Sequence, residues 1–352
     1  MPAPGKRSTV SLGKIGLELE LMAPPGRSRR DLAEALVSAR GGRLRRFFHP
    51  QGEPSKVAKT PYFENLTLGY AIQDTNGANL AQCVDDLTLQ DDLDPNEGPQ
   101  PGWYRIVSDD SRLLQLAMQV SDPEDELEVV LDPLASLFGT TPEKGEGGMI
   151  RVADPTGKAV AIGAPLPGER ERPCEIVSRP ITSNHQQETE ALLSLARDLD
   201  FFIPSEAATH IHFDAAPLCS AATFANLVMF LGIHSDTIRE RFSTNPRCRR
   251  LGQWPEELFD IVTKPDFVTL DWAQAKERLR EIELSKFCDF NLANMVYEPP
   301  GKHTFEVRIL PMWIESGPII DAADYFSQIL GWARDNGGQL RKVPRDLAGV
   351  FA

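Results

Sequence analysis

Two short segments of the chain alternate apolar and acidic residues, which is the pattern of a β-strand with one buried face. The first, GLELEL (residues 16–21), places Glu18 and Glu20 on one face and three leucines on the other. The second, CEIVS (residues 174–178), carries Glu175 beside apolar residues. Both segments are therefore predicted to be strands that present carboxylates on one face.

THIHFD and FEVRIL, in the second half of the chain, alternate in the same way. Successive side chains of a strand point to opposite faces, so the ionisable residues of each segment share one face. The isoleucine, valine and phenylalanine residues take the other face. The polar faces carry His210, His212 and Asp214 in the first segment and Glu306 and Arg308 in the second.

The rest of the pattern predicts helices interspersed with strands. Helical spacing of apolar residues indicates helices near residues 28–40, 186–199, 218–242, 271–284 and 319–335. Further strands are predicted at 66–73, 103–108, 127–131 and 149–163, the last a hairpin turning at Asp154-Pro155-Thr156-Gly157. We expect a single α+β domain spanning residues 1–352, with a mainly antiparallel sheet and insertions within 75–172.

Composition restricts the partners of this domain. The 352 residues are 41% hydrophobic and 25% charged, with a formal net charge of −14, as in ordinary globular proteins. A nucleic acid or an anionic membrane requires a basic surface, so neither is expected as a partner. The five cysteines form no CxxC pair, and the longest apolar run (residues 224–233) is too short to cross a bilayer. A cytoplasmic setting is the simplest expectation.

The four polar faces suggest metal and phosphate chemistry. A solvent-exposed sheet face is the simplest alternative for each segment alone. Gathered together, two carboxylates about 6 Å apart repel by roughly 3 kcal/mol at an effective dielectric near 20, and a divalent metal would supply the counter-charge. Oxygen-rich sites with one or two imidazoles suit magnesium or manganese better than zinc. An arginine near a carboxylate adds a fork-shaped phosphate donor, whereas no GxxxxGK[ST] phosphate loop is present.

Five segments in fixed order carry a family resemblance: GLELEL, WYRIVSDDS, CEIVSRPI, THIHFD and KFCDFNLANMV…HTFEVRIL. Together they resemble the putative amidoligase family of the carboxylate-amine ligase superfamily, whose relatives include glutamine synthetase and glutamate-cysteine ligase. The resemblance implies a glutamine-synthetase-like catalytic domain: a curved, mainly antiparallel sheet with helices packed on one side, binding ATP and divalent metals on its concave face. The metal-ligand positions that it implies are Glu18, Glu20, Glu175, His210 and Glu306.

The same resemblance implies roles for four further residues. Arg308 falls on the phosphate-contacting arginine, and Asp109 falls on an acidic position suited to accept the amine proton. His212 would contact nucleotide or orient His210. Lys286 is assigned to the nucleotide phosphates, with a solvated surface charge as its alternative, and the same solvated interpretation is expected for the arginines within 27–46 and for Arg247, Arg249 and Arg250.

We therefore expect an ATP-dependent ligase that uses Mg²⁺ or Mn²⁺ and joins a small-molecule or peptide carboxylate to an amine through an acyl phosphate. Two alternatives stay open. His212, Asp214 and His303 satisfy the residue types of an iron(II) oxygenase of the 2-oxoglutarate kind. A ligase fold could also persist as a non-catalytic nucleotide-binding module.

Overall fold

The computed structural model describes residues 12–54, 62–337 and 344. Helices alternate with antiparallel strands along the chain, and the strands lie in an open sheet, so the α+β prediction is confirmed. The chain divides into two compact units. The first unit holds the residues up to Glu18, Pro180–Ala191 and the residues from Ala208 onwards, and the second holds Leu19–Arg179 and Leu192–Ala207. The single domain with insertions within 75–172 stays a prediction.

The strands and helices are defined as follows within the described ranges. The strands are β1 (Ile15–Met22), β2 (Arg43–Pro54), β3 (Tyr62–Gln73), β4 (Asn79–Val84), β5 (Tyr104–Ser108), β6 (Glu143–Lys144), β7 (Ile150–Ala153), β8 (Ala159–Pro165), β9 (Pro173–Ser178), β10 (Ala208–Asp214), β11 (Phe290–Asn291) and β12 (Thr304–Pro311). The helices are α1 (Arg29–Arg40), α2 (Ser111–Val120), α3 (Asp132–Leu137), α4 (His185–Asp198), α5 (Ala221–Phe242), α6 (Glu256–Val262), α7 (Trp272–Leu279), α8 (Ala293–Tyr297) and α9 (Ser316–Asp335). Within the part of the chain just defined, no helix combines the length and the apolar character needed to span a bilayer.

The strands of the first unit separate an apolar face from a polar one. They are ordered β11-β12-β10-β1, and α5 packs against both β12 and α9. The ring of Phe305 lies 6.4 Å from those of Phe213 and Phe290, and Phe290 lies 6.0 Å from Phe326 of α9. This packing holds the charged residues of β10 and β12 on the opposite face, as the alternation predicts.

The second unit is built on a longer run of strands. Its order is β9-β4-β3-β5-β8-β7-β6, and β2 pairs with β3 along twelve residues. Helix α1 packs on β3, whose Leu66, Leu68 and Ile72 are buried. The predicted hairpin at 149–163 is confirmed as β7 and β8, with Gly157 donating to Asp154 across the turn at 2.9 Å.

Several local predictions differ from the structure. The strand predicted at 127–131 is wrong: the amides of Val129 and Val130 donate back to Glu126 at 3.1 and 3.0 Å, which makes turns that lead into α3. Glu128 and Val129 are both exposed and Val130 and Leu131 are both buried, so the run does not have the period of two that a half-buried strand shows. Helix α7 ends at Leu279, earlier than predicted, and β2, β4 and α2 were not predicted at all.

The expectation that the arginines within 27–46 are solvated is wrong at Arg29, which is completely buried in the second unit. Its guanidinium donates to the carbonyls of Leu68, Arg170 and Pro173 at 2.9, 2.7 and 3.3 Å, and lies 4.5 Å from the centre of the Trp103 ring. Loss of hydration lowers the pKa of Arg29 below its ordinary value. This arginine therefore joins backbone segments that are more than one hundred residues apart in the sequence.

Candidate active site

A β-bulge shapes the polar face of the first unit. Between the pairs Thr209↔Leu310 and Ile211↔Val307 of β10 and β12, the single residue His210 opposes two residues of β12. The amide of Arg308, one of these two, donates to the carbonyl of Asp289 at 3.0 Å. Beyond the bulge His212 lies directly opposite Glu306. Bulges commonly redirect side chains beside functional sites, and this one sets Arg308 and His210 at the same level of the sheet.

Glu18 of β1 lies against both histidines. Its Oε2 is 3.0 Å from Nδ1 of His210, and its Oε1 is 3.2 Å from Nε2 of His212. All three side chains are largely buried, so these charged or polar groups interact with little screening by solvent. The glutamate predicted from GLELEL and the two histidines predicted from THIHFD are thus brought together.

Glu306 of β12 is fixed by donors on both oxygens. Arg308 Nη1 lies 2.6 Å from Oε1, and the amide nitrogen of Asn291 donates to Oε2 at 2.7 Å. The Asn291 side chain is itself held, because its oxygen accepts from the amide of Ala293 at 2.9 Å. The side chain of Glu306 is only 4% exposed, so its orientation is set by these partners rather than by water.

Glu18, His212 and Glu306 each offer one ligand atom within 4.8 Å of the other two, and within residues 12–54, 62–337 and 344 this is the one such group of three. His212 Nδ1 lies 3.0 Å from the hydroxyl of Thr304, whereas its buried Nε2 makes no hydrogen bond. An imidazole held at one nitrogen with the other nitrogen available is the usual arrangement of a metal-binding histidine. We call these three residues the acidic trio.

The electrostatics of the acidic trio keep both carboxylates ionised. Burial opposes ionisation of Glu18, but the positive charge of His212 and the hydrogen bond with His210 hold its pKa well below the usual value. Burial likewise opposes ionisation of Glu306, and the charges of His212 and Arg308 lower its pKa. Burial opposes protonation of His212, yet the two glutamates raise its pKa. Positive charge is therefore favoured between the two carboxylates.

Basic side chains lie near this group in the first unit. Partial loss of hydration and the positive charges of Lys302, Arg308 and Arg250 lower the pKa of Lys286, whose side chain is exposed and also interacts with Glu306. The Lys286 ammonium and the Arg250 guanidinium lie 5.3 and 5.0 Å from the centre of the Phe287 ring. Four cations that repel one another in a protein of net charge −14 are a local arrangement suited to an anionic ligand.

Three of the predicted site residues lie in the second unit. Glu20 is buried on β1, and Glu175 is half-buried on β9, where its backbone pairs with Val84 of β4. Asp109 follows β5 directly and is exposed. Their assignments as two metal ligands and a proton acceptor stay predictions.

Of the three residues of the oxygenase alternative, only His212 belongs to the acidic trio. Asp214 is exposed, and its carboxylate accepts from the amide of Ala216 at 3.0 Å. His303 Nε2 lies 3.6 Å from the sulfur of Cys219. Within the described ranges, His212, Asp214 and His303 do not form a group of three converging ligand atoms.

Sequence reasoning missed Asn291 and Thr304 as partners of the site. Asn291 belongs to the two-residue strand β11, which pairs with Glu306, and no periodic pattern marks so short a strand. Thr304 is the first residue of β12, opposite Asp214 in register. Thr304 lies two residues before Glu306 and therefore on the same face of the strand, and this spacing could have identified it as a partner of the site.

The acidic trio fits a divalent cation on its own geometry. Two ionised carboxylates and an imidazole nitrogen without a hydrogen bond converge within 4.8 Å, and each is oriented by a neighbouring donor or hydroxyl. Carboxylate oxygens suit magnesium and manganese, and one imidazole is compatible with them. The candidate metal ligands in the first unit are therefore Glu18, His212 and Glu306, with His210 held against Glu18.

Comparison with known proteins places this arrangement in a family. The family model described as putative amidoligase enzyme matches residues 13–324, and the chain therefore belongs to that family. No curated protein matches the chain, and neither does any solved structure. The match spans the acidic trio, the surrounding basic residues and both units.

Proposed function

We propose that this member of the putative amidoligase family is an ATP-dependent ligase with a glutamine-synthetase-like fold, which joins a carboxylate to an amine through an acyl phosphate. The family supports the ligase class, and one observation supports the mechanism. This observation is the convergence of two ionised glutamates and an available imidazole nitrogen beside Arg308. Such a site can hold a metal–nucleotide complex without a glycine-rich phosphate loop.

In this proposal the acidic trio holds a magnesium or manganese ion. The bound ion would neutralise the charge of the nucleotide phosphates and polarise the γ-phosphoryl group. Glu306 keeps its position because Asn291 and Arg308 occupy its two oxygens. His212 keeps Nε2 directed towards the carboxylates because Nδ1 lies against the Thr304 hydroxyl.

The basic residues contact the triphosphate. Arg250, Lys286 and Lys302 attract the polyanion, and Arg308 contacts the phosphoryl group during transfer from ATP to the substrate carboxylate. The amine then attacks the acyl phosphate, which forms the amide and releases phosphate. Asp109 as acceptor of the amine proton, and Glu20 and Glu175 as metal ligands, remain the roles that the family resemblance implies.

Calorimetric titration with a non-hydrolysable ATP analogue tests the proposal directly. The analogue should bind in the presence of Mg²⁺ or Mn²⁺ and should bind at least about 100-fold more weakly when EDTA removes the metal. Glu306→Gln should abolish the metal-dependent part of the affinity for the analogue, because it removes an ionised metal ligand and keeps the shape of the side chain. Glu257→Gln, at an exposed position of α6, is the matched control and should bind like the wild-type protein.

Two outcomes would contradict the proposal. Equal affinity for the ATP analogue with and without metal would show that the trio does not bind a metal needed for nucleotide binding. Metal-dependent binding that Glu306→Gln leaves unchanged would place the metal site elsewhere. ADP release on addition of acid and amine panels then separates a ligase from a nucleotide-binding module. Binding without any ADP release across broad panels would favour the module, and iron-dependent oxygen uptake with 2-oxoglutarate would favour the oxygenase.

A further inference from the structure

One buried carboxylate of the first unit, that of Asp289, joins three parts of the chain. The side chain is 4% exposed and is held in an ion pair by Nε and Nη2 of Arg239, on α5. It also accepts from the hydroxyl of Ser235, on the same helix, at 3.3 Å and from the amide of Gly252 at 3.0 Å. The carbonyl of Asp289 accepts from the amide of Arg308 at 3.0 Å, beside the β-bulge. Asp289 therefore connects α5, the segment that ends at Gly252 and the strand that carries Arg308.

Residues 243–252 follow α5 and carry three arginines, and we call them the basic segment. At its end, the amide of Gly252 donates to the Asp289 side chain, and the carbonyl of Gly252 accepts from the Asp289 amide at 2.8 Å. At its start, the amide of Thr244 donates to the carbonyl of Arg239 at 3.0 Å. Both ends of the basic segment are thus attached to the ion pair between Arg239 and Asp289.

Within the basic segment, Arg250 has a backbone conformation that arginine rarely adopts. Its φ is +61°, in the left-handed region, where the Cβ of any residue other than glycine is crowded. A residue persists in this conformation only where the surrounding structure fixes it, and such residues are concentrated at ligand-binding sites. The attachment of Gly252 to Asp289, two residues further along the chain, supplies this constraint.

The side chain of Arg250 belongs to the basic group near the acidic trio. Its guanidinium lies 5.0 Å from the centre of the Phe287 ring, and the ammonium of Lys286 lies 5.3 Å from the same ring centre. Arg250 and Arg308 are both near enough to Lys286 to repel its positive charge. A phosphate group bound by these cations would relieve their repulsion, and an arginine can donate two parallel hydrogen bonds to phosphate oxygens.

We infer that Arg239 and Asp289 are a positioning pair, which holds the basic segment so that the strained Arg250 binds a phosphate group of the ligand. Because the Asp289 carbonyl also holds the amide of Arg308, one buried residue positions two phosphate-binding arginines that lie on separate segments. The assignment of this phosphate to ATP rests on the proposed ligase function. The attachment of the basic segment to Asp289 does not depend on it.

Arg250→Gly separates backbone strain from ligand binding. Glycine relieves the left-handed conformation, so the melting temperature should stay the same or rise. The affinity for the non-hydrolysable ATP analogue with Mg²⁺, measured by calorimetry on the full-length protein, should fall at least about 10-fold. Arg247→Gly removes the same charge from an exposed residue of the basic segment and is the matched control. It should weaken the analogue less than about 3-fold.

Asp289→Asn tests the positioning role. Asparagine has nearly the same size but loses the negative charge and one acceptor oxygen, so Arg239 and Gly252 are held less firmly. It should weaken the analogue at least about 5-fold in the wild-type background and have little further effect in Arg250→Gly. A purely structural role would not produce this coupling, and near-UV circular dichroism checks that the variant is folded.

If Asp289→Asn does not fold, Arg239→Lys takes its place in the same cycle. The side chain of Arg239 is 35% exposed, and lysine keeps its charge while losing the fork that binds both carboxylate oxygens. The expected result is again weaker binding of the analogue that disappears as a separate effect once Arg250 is glycine.

Three results would overturn the inference. Unchanged affinity for the analogue in Arg250→Gly would show that Arg250 does not bind phosphate. Additive effects of Asp289→Asn and Arg250→Gly would show that the pair does not act through Arg250. A large fall in the melting temperature of Arg250→Gly would show that this arginine stabilises the fold.

Failure of the proposed ligase function gives a different result. In that case the analogue does not bind the wild-type protein in a metal-dependent way, and inorganic pyrophosphate, titrated with EDTA, becomes the probe for the same variants. Saturable millimolar binding that Arg250→Gly weakens at least about 10-fold would then support the inference without the ligase. No binding of pyrophosphate at tens of millimolar, or binding that Arg250→Gly leaves unchanged, would overturn it.

Discussion

The acidic trio of the first unit and the buried side chain of Asn65 in the second unit differ in whether their polar groups have hydrogen-bond partners. Glu18 and Glu306 are buried and charged, and each has donors at 3.0 Å or less. Asn65 is buried and neutral, and both atoms of its amide lack a partner. In the trio, opposite charges are in contact. In Asn65, the nitrogen and the oxygen of the side-chain amide make no hydrogen bond.

This difference predicts different effects of substitutions in the two units. The carboxylates of the acidic trio are already oriented. A metal ion should therefore replace the positive charge of His212 with little rearrangement of the chain. A buried amide without partners, as in Asn65, instead costs free energy of folding. Substitutions should therefore act on metal and nucleotide binding in the first unit, and on stability in the second.

The largest effect is expected from removing a carboxylate of the trio. Glu18→Gln should lower the affinity for metal-bound nucleotide at least about 100-fold, since loss of an outer hydrogen-bond partner alone commonly costs 10-fold to 100-fold. The melting temperature should fall modestly, because the fold stabilises the ionised Glu18 through its contacts with His210 and His212. Calorimetry and thermal melts measure the two quantities. A large loss of stability with unchanged nucleotide affinity would make Glu18 structural.

Substitution of the buried Arg29 tests whether the charge of this residue stabilises the second unit. Arg29→Leu should lower the free energy of unfolding by about 3 kcal/mol, because it removes a charged donor from three backbone carbonyls. Urea unfolding measures the change. Arg30→Leu is the adjacent control: its exposed pair with Glu34 should contribute no more than about 0.5 kcal/mol. Equal effects of the two substitutions would contradict the role of Arg29.

Arg308→Lys should lower kcat about 100-fold with little change in nucleotide affinity, once an acid substrate is known. Lysine keeps the charge and loses the planar fork that stabilises charge in the transition state. Single-turnover phosphoryl-transfer rates measure the effect. If Arg308 serves only as the partner of Glu306, the substitution will instead cost stability and leave the chemical rate of the folded protein unchanged.

The smallest effect is expected at Thr304, whose hydroxyl lies against Nδ1 of His212 and also accepts from the side-chain amide of Asn294 at 3.3 Å. Thr304→Val keeps the shape and removes the hydroxyl near Nδ1, so metal affinity should fall about 10-fold. Thr304→Ser, which restores the hydroxyl, should recover most of it, and calorimetry with Mn²⁺ measures both. Wild-type affinity in the valine variant would show that packing alone orients the imidazole.

Much of the first unit could be predicted from the chain because the signals are local. The alternation in THIHFD and FEVRIL predicts which residues share a face, and β10 and β12 confirm that pattern. In the second unit the hairpin of β7 and β8 follows from an equally local signal, its Asp-Pro-Thr-Gly turn. Other parts of the second unit were harder to predict: the run at 127–131 contains strand-forming residues, but its amides close turns instead of a ladder.

The sequence alone determined the strand faces and the identities of the charged groups, since period two is a property of each strand by itself. Tertiary structure decided which groups meet. The bulge opposite His210 depends on the register between β10 and β12, and this register brings His212 level with Glu306. Burial of Arg29 and the unpaired amide of Asn65 depend on segments far away in the chain, and no local pattern encodes such distances.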